Sequence, residues 1–145
     1  MIDFEIGTLI DRPVEAAFAF LSNPLNLPRW QSMLAEIKPV ATGPVGVGSK
    51  FSTKGERLGR KIDGLLEITE FEPPVKFGYK GSAGPMQVHG LITLKPAGTG
   101  ARVLLKAHAE PGGMFKLAEG LLANQVKSQM EANLDRLKAV LEAGA

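Results

Sequence analysis

The chain has 145 residues, 44% hydrophobic and 22% charged, with a formal net charge of +2 and no cysteine. That length fits one domain, residues 1–145, large enough to bury a core, while the composition is that of an ordinary globular protein. It excludes disulfide scaffolds, thiol nucleophiles and cysteine metal sites, and with no Lys/Arg block and no zinc spacing it points away from nucleic acid.

Residues 2–10 alternate as a strand, with Ile2, Phe4, Ile6, Thr8 and Ile10 on one side. "DRPVEAAFAFLSNP" reads as a short helix. Pro13 suits its first position, Glu15 its first turn, and Ser22-Asn23-Pro24 ends it; Val14, Ala17, Phe18 and Leu21 form its apolar stripe. "LNLPRW" is too short and too proline-punctuated for more than one further turn. From Ser32 to Glu110 the pattern is a meander of strands, with turns at "GPVGVG", "RLGR", "EPP", "GSAGP" and "PAGTG". After "EPGG" one amphipathic helix runs from about Met114 to Glu142, its apolar residues (Leu134, Leu137 and Leu141 among them) recurring every three or four positions.

Antiparallel neighbours with one buried face must set apolar residues opposite one another. Folding the last hairpin about "AGTG" sets Leu94 against Val103, Ile92 against Leu105, Gly90 against Ala107 and Val88 against Ala109. Folding at Leu58-Gly59 sets Gly55 against Ile62, Thr53 against Gly64 and Phe51 against Leu66. The same face continues through Ile68, Glu70, Val75, Phe77 and Tyr79. Its margins are long side chains, but its middle is Gly55, Gly64, Gly90, Ala107 and Ala109. Two readings are open: glycine lets a curved sheet bend, or sheet and helix enclose a ligand cavity.

The chain resembles a known family in "IDRPVEAAFAFLSNPLNLPRW", "GVGSKF", "LEITEFEPPVKFGY" and "QMEANLDRLKAVLE". A strand, two short helices, an antiparallel meander and a long last helix is the order of the helix-grip fold of the START-like, or SRPBCC, superfamily, which includes the polyketide cyclase/dehydrase-like proteins. The resemblance implies an α+β fold, a seven-stranded curved antiparallel sheet around a long C-terminal helix. Its motifs are structural, so for function it implies only a range. Members bind hydrophobic ligands, move lipids, cyclise aromatic polyketides or assist chaperones.

Alternate turns of a meander fall at one end, which gathers Leu27–Gln31, "RLGR", "GSAGP" and "EPGG" around a mouth. The expected ligand contacts from the sheet side are Trp30, Met33, Phe51, Leu66, Phe77, Tyr79, Met86, Val88 and Gly90. Phe115, Leu122, Val126 and Met130 face them from the helix, with Arg57, Arg60 and Met114 at the mouth. Trp30 could be a plug, a stacking platform or a cap on the core.

Polar candidates for catalysis are few. His89 and His108 fall opposite each other on the outward phase, against an acid–base enzyme. Glu70 follows the inward phase, either as a buried carboxylate or as a strand-end group reaching water. Tyr79 points inward and is the best polar handle. Gln125, Gln129 and Asn133 edge the helix stripe as inner contacts or as its exposed border. "GPVGVG" precedes a strand, so it is no phosphate loop.

The expected function is carriage or sensing of a hydrophobic small molecule such as a lipid, a quinone or an aromatic polyketide, without cofactor or metal. A polyketide cyclase or dehydratase, with Tyr79 or Glu70 handling protons, is the enzymatic alternative. A co-chaperone or regulatory module using outward Leu65, Leu91 and Leu104 is a third. No apolar run approaches the ~18 residues of a membrane span, and "MIDFEIGTLI" lacks the features of a secretion signal. A cytoplasmic monomer or homodimer is expected.

Overall fold

Alternation along the strands builds a single seven-stranded antiparallel sheet in the order β1-β7-β6-β5-β4-β3-β2. The computed structural model describes residues 2–31, 34–40, 43–57, 60–83, 86–110 and 119–144, with backbone alone at residues 2, 57, 60, 83 and 119–122. The strands are β1 (Ile2–Ile10), β2 (Leu34–Pro39), β3 (Lys50–Arg57), β4 (Arg60–Glu72), β5 (Lys76–Ala83), β6 (Met86–Ala97) and β7 (Gly100–Glu110). Helix α1 (Val14–Leu21) and a 3₁₀ segment (Pro24–Arg29) follow β1, and α2 (Glu119–Glu142) closes the chain. This is the helix-grip architecture.

The two expected hairpin registers hold. Gly90 pairs with Ala107 and Ile92 with Leu105 across β6 and β7, and Thr53 pairs with Gly64 across β3 and β4. β1 extends the same face, with Ile6 opposite Leu105. One departure changes the reading of a candidate residue. The β4–β5 register shifts between Ile68 and Glu70, so Ile68 pairs with Tyr79, Glu70 with Gly78 and Phe71 with Phe77. A bulge adds one residue and moves the following side chains to the opposite face. Phe71 therefore takes the inward place expected of Glu70, stacking edge-on with Phe18 and Phe77 at centroid distances of 5.7 and 6.3 Å. Glu70 is exposed on the outer face, and the inward reading of it is corrected. Val75, also expected inward, lies in the turn between β4 and β5 and is 45% exposed.

Two boundaries also differ. Pro13 precedes α1 and caps it, its carbonyl accepting from the Ala17 N–H at 3.0 Å. The stretch after α1 is a six-residue 3₁₀ helix, longer than one turn, started by Asn23, whose side chain accepts from the Leu25 N–H at 3.2 Å. Residues 114–118, expected to begin the long helix, lie outside the described residues.

The C-terminal half of α2 is pinned to the sheet. Leu134, Leu137 and Leu141 are buried in one core with Ile10, Val103 and Leu105. The Arg12 guanidinium donates to the Leu141 carbonyl at 2.7 Å, a helix-end acceptor that also takes the Gly144 N–H at 3.1 Å. The Asp11 N–H donates to Glu142 Oε2 at 2.9 Å, and Lys138 Nζ donates to the Leu9 carbonyl. The Asp11 N–H, followed by Lys138, holds the Glu142 carboxyl below the usual carboxylate range. Nearer the helix start the grip loosens: Val126, Gln129 and Met130 are only half-buried.

Leu137 is fully buried, and truncating such a residue leaves a hole that the surroundings close only in part. Leu137→Ala is expected to cost about 2–5 kcal/mol in urea unfolding. Val47→Ala, at a position 68% exposed, is expected to stay within about 0.5 kcal/mol.

Candidate functional site

A cavity of about 190 Å³ lies between the inner sheet face, the 3₁₀ segment and α2. Leu27, Trp30 and Gln31 wall it from the 3₁₀ segment and the residues just after it, with Leu34 beginning β2 beside them. Thr53 and Gly55 on β3 and Ile62 and Leu66 on β4 form one side. Phe77, Tyr79 and Gly81 on β5 form the floor, with Val88 and Ile92 on β6 and Met130 on α2 closing it. Period-2 alternation puts most of these strand residues on one face, while Leu65 and Ser82, of the opposite phase on β4 and β5, also border the cavity; the proline-punctuated 3₁₀ segment brings Trp30 over it.

The small residues act differently from one another. A Cβ on Gly90 would overlap the Tyr79 ring, whose tip fills that space. Around Ala109, Phe4, Met86, Val88, Ala123 and Val126 pack together, so the small residues of β6 and β7 admit a ring and a helix. On Gly81 a Cβ would stand 2.7 Å from the Leu65 carbonyl oxygen, and on Gly64 it would collide with the Ser82 carbonyl. These two glycines permit close approach of β4 and β5. The gap expected at Gly90 is therefore filled, and the empty volume lies beside it, toward β3, β4 and β5.

Of the expected contacts, Trp30, Leu66, Phe77, Tyr79, Val88 and Met130 line the cavity together. Phe51 is buried in the main core, Met86 and Val126 belong to the cluster around Ala109, and Gly90 lies under Tyr79. Met33, Met114 and Phe115 lie outside the described residues, as do the side chains of Arg57, Arg60 and Leu122. Gln31, Leu34 and Thr53 join the lining without having been expected there. Thr53 shares the period-2 phase of Phe51 and was findable; nothing in the hydrophobic pattern marks Gln31.

Five residues with polar side chains, Trp30, Gln31, Thr53, Tyr79 and Ser82, meet this largely apolar lining. Trp30 is 1% exposed, and its indole Nε1–H has no hydrogen-bond partner. Gln31 Oε1 accepts from Asn133 Nδ2 at 2.8 Å, which makes Asn133, 3% exposed, an inner polar contact of the helix. Tyr79 is half-buried, and burial pushes its hydroxyl pKa up to about 12. Every described lining residue is uncharged.

The other titratable candidates lie on the outer face. His89 and His108 stand opposite each other, ring centroids 6.1 Å apart, and His108 Nδ1 is 2.6 Å from Asp3 Oδ1. Among the described residues no three His, Asp or Glu side chains are placed to hold a metal ion. The arrangement is a half-open, largely apolar hollow that can bury part of an apolar molecule. Among the described lining residues Tyr79 alone is titratable, and a hydroxyl at about 12 is far from the pKa that proton transfer near neutrality favours.

The profile of a family described as polyketide cyclase / dehydrase and lipid transport matches residues 1–142. None of the curated proteins matches the chain. Among solved structures, the chain is similar to TTHA0849 from Thermus thermophilus, at 20% identity and TM-score 0.81 over 99% of both chains. It is also similar to the di-domain ARO/CYC BexL of the BE-7585A biosynthetic pathway, at 18% identity and TM-score 0.78, covering 98% of this chain and 47% of that one. Ara h 8.0201 aligns at 14% identity and TM-score 0.66, over 93% of this chain and 96% of its own. These likenesses show the fold.

Tyr79 is the only tyrosine, so ultraviolet titration reads it alone. The native midpoint is expected near 12 and the denatured one near 10.0. Since the unfolded chain releases that proton first, this group's contribution to stability falls as pH rises from 10.0 to about 12. Gly90→Ala is expected to cost about 1–3 kcal/mol by forcing the ring aside. In a Tyr79→Leu background, where no ring tip lies over position 90, most of that cost should disappear from urea unfolding.

Proposed function

The chain belongs to the polyketide cyclase / dehydrase and lipid transport family, and on that premise we propose that it binds a hydrophobic small molecule, to carry or sense it, in the cavity beside Trp30 and Tyr79. The observation that carries this reading is an internal volume of about 190 Å³ whose described walls are apolar or neutral. A dry cavity of about 150 Å³ is enough for benzene, so this one suits one or two rings or a short acyl segment. Burial supplies the driving force, on the order of 25 cal/mol per Å² of apolar surface before ordering costs. Lipid, quinone and aromatic polyketide fragments all fit that description. The whole of 1–145 acts as one binding domain in this reading.

The geometry supports a carrier better than a cyclase or dehydratase. Cyclisation by confinement needs a wall that fits a folded substrate, which this cavity offers, but it gains speed from a proton handler. Glu70 stands on the other face, and the Tyr79 hydroxyl is held protonated. The outer-face partner reading has less support, since Leu65 is exposed but Leu91 and Leu104 are half-covered. No helix among the described residues is long and apolar enough to cross a membrane. We place the carrier in the cytoplasm, as a monomer or homodimer without nucleic acid, on the sequence arguments.

Native mass spectrometry of freshly purified protein is expected to show an added small mass that extraction into organic solvent removes. Val88→Phe, which puts a ring into the cavity, should abolish that mass while leaving the far-ultraviolet circular dichroism unchanged. A bare chain that also takes up no apolar probe from solution would sink the carrier reading.

A further inference from the structure

We infer that His89 and His108 form a two-imidazole seat for an exchangeable transition-metal dication of the zinc, copper or nickel class, on the sheet face opposite the cavity. The seat stands apart from the carrier reading and does not depend on it. The β6–β7 register sets the two residues directly opposite each other, and their ring centroids are 6.1 Å apart. Two imidazoles on one tetrahedral ion, with metal–nitrogen bonds of about 2.0–2.1 Å, have centroids about 5 Å apart. A movement of about 1 Å closes that difference, and His89 is exposed and has room to turn.

His108 is already prepared as a ligand. Its Nδ1 lies 2.6 Å from Asp3 Oδ1. An ionised carboxylate can only accept, so Nδ1–H donates, and the neutral ring carries its lone pair on Nε2. Metal-binding histidines ordinarily have such a carboxylate behind them, which fixes the ring and makes the ligating nitrogen more basic. Asp3 comes from β1, where it pairs with His108 of β7, so three strands build the seat. Glu110 Oε2 is 3.9 Å from His108 Nε2, which adds negative charge nearby but is too far for a hydrogen bond to occupy that nitrogen.

The surroundings favour a cation. Both rings border an open hollow of about 610 Å³ whose described lining sets Asp3, Glu5 and Glu70 against one lysine, Lys106. That lysine is itself engaged, its Nζ 3.7 Å from Glu5 Oε2. Imidazole suits zinc, copper and nickel, whereas magnesium and calcium prefer oxygen ligands. Resident zinc has three or four protein ligands. Here two imidazoles stand without a third described His, Asp or Glu in place, so water completes the shell and the ion exchanges. While bound, it ties β6 to β7.

The chain has two histidines in all, so the imidazole signals of ¹⁵N-labelled, tag-free, full-length protein report the seat directly. Zinc chloride titrated near neutral pH is expected to shift both rings together and to saturate at one ion per chain, while magnesium chloride moves neither. His89→Gln and His108→Gln should each remove saturation over the range where the wild type saturates. Asp3 is a positioning residue: Asp3→Ala should weaken zinc about ten-fold and move the His108 proton toward Nε2 in the ¹⁵N spectrum. Zinc should raise the thermal midpoint of the wild type but not that of the double histidine variant. Imidazole signals that stay put under zinc, or zinc binding undiminished in the double variant, would overturn the seat. A shift of one ring alone would overturn shared ligation, and displacement of zinc by equimolar magnesium would replace the imidazole assignment with an acidic surface. The wild-type titration decides the matter even where a variant folds poorly, and its failure leaves uptake of an apolar molecule by the cavity untouched.

Discussion

A straight helix cannot stay in contact with a curled sheet along its whole length, and the rest of this structure follows from where contact is kept. It is kept at the C-terminal end of α2. There Leu134, Leu137 and Leu141 are buried, and the β1–α1 junction fixes the last turn through Asp11 and Arg12. Toward the other end Val126 and Met130 are only half-covered. The 3₁₀ segment crosses the space that opens there, placing Trp30 above the sheet, and the cavity is what remains between them. Close packing elsewhere makes such a remainder conspicuous, because interiors of this size rarely leave room for several carbons.

Within that remainder the polar atoms are few and unevenly matched. Asn133 Nδ2 donates to Gln31 Oε1, which ties α2 to the residue after the 3₁₀ segment on one side of the cavity. Tyr79 lies over Gly90 with a hydroxyl that burial keeps protonated. Trp30 is left with a donor and nothing to give it to. A site built for acid–base chemistry pairs titratable groups whose pKa values are pulled toward neutrality. Among the described lining residues the one such group is pushed away from it, while Glu70, His89 and His108 sit on the outer face. Within the described lining no group is poised for proton transfer near neutrality.

Much of the frame was legible because it depends on alternation and turn position. Pairing apolar residues across "AGTG" and Leu58-Gly59 gave registers found in the sheet, and the outward phase of His89 and His108 came with them. The Glu70 reading failed for a definite reason. A bulge inserts one residue with no mark in the hydrophobic pattern, and Phe71 was as able as Glu70 to continue the face. Gly90 failed differently. Its absent side chain was correctly read as space, but the ring that occupies it comes from β5, eleven residues earlier in the chain.

The sequence by itself determined the strand phases, the meander, the two hairpin registers and the amphipathic stripe of the last helix, since these rest on spacing along the chain. Only the tertiary structure decided which small residues were filled and which bordered a void, because that depends on which distant side chain reaches a given point first. It likewise decided that Trp30 buries an unanswered N–H. Whether a donor finds an acceptor depends on the three-dimensional neighbours of one atom, and no periodicity encodes them.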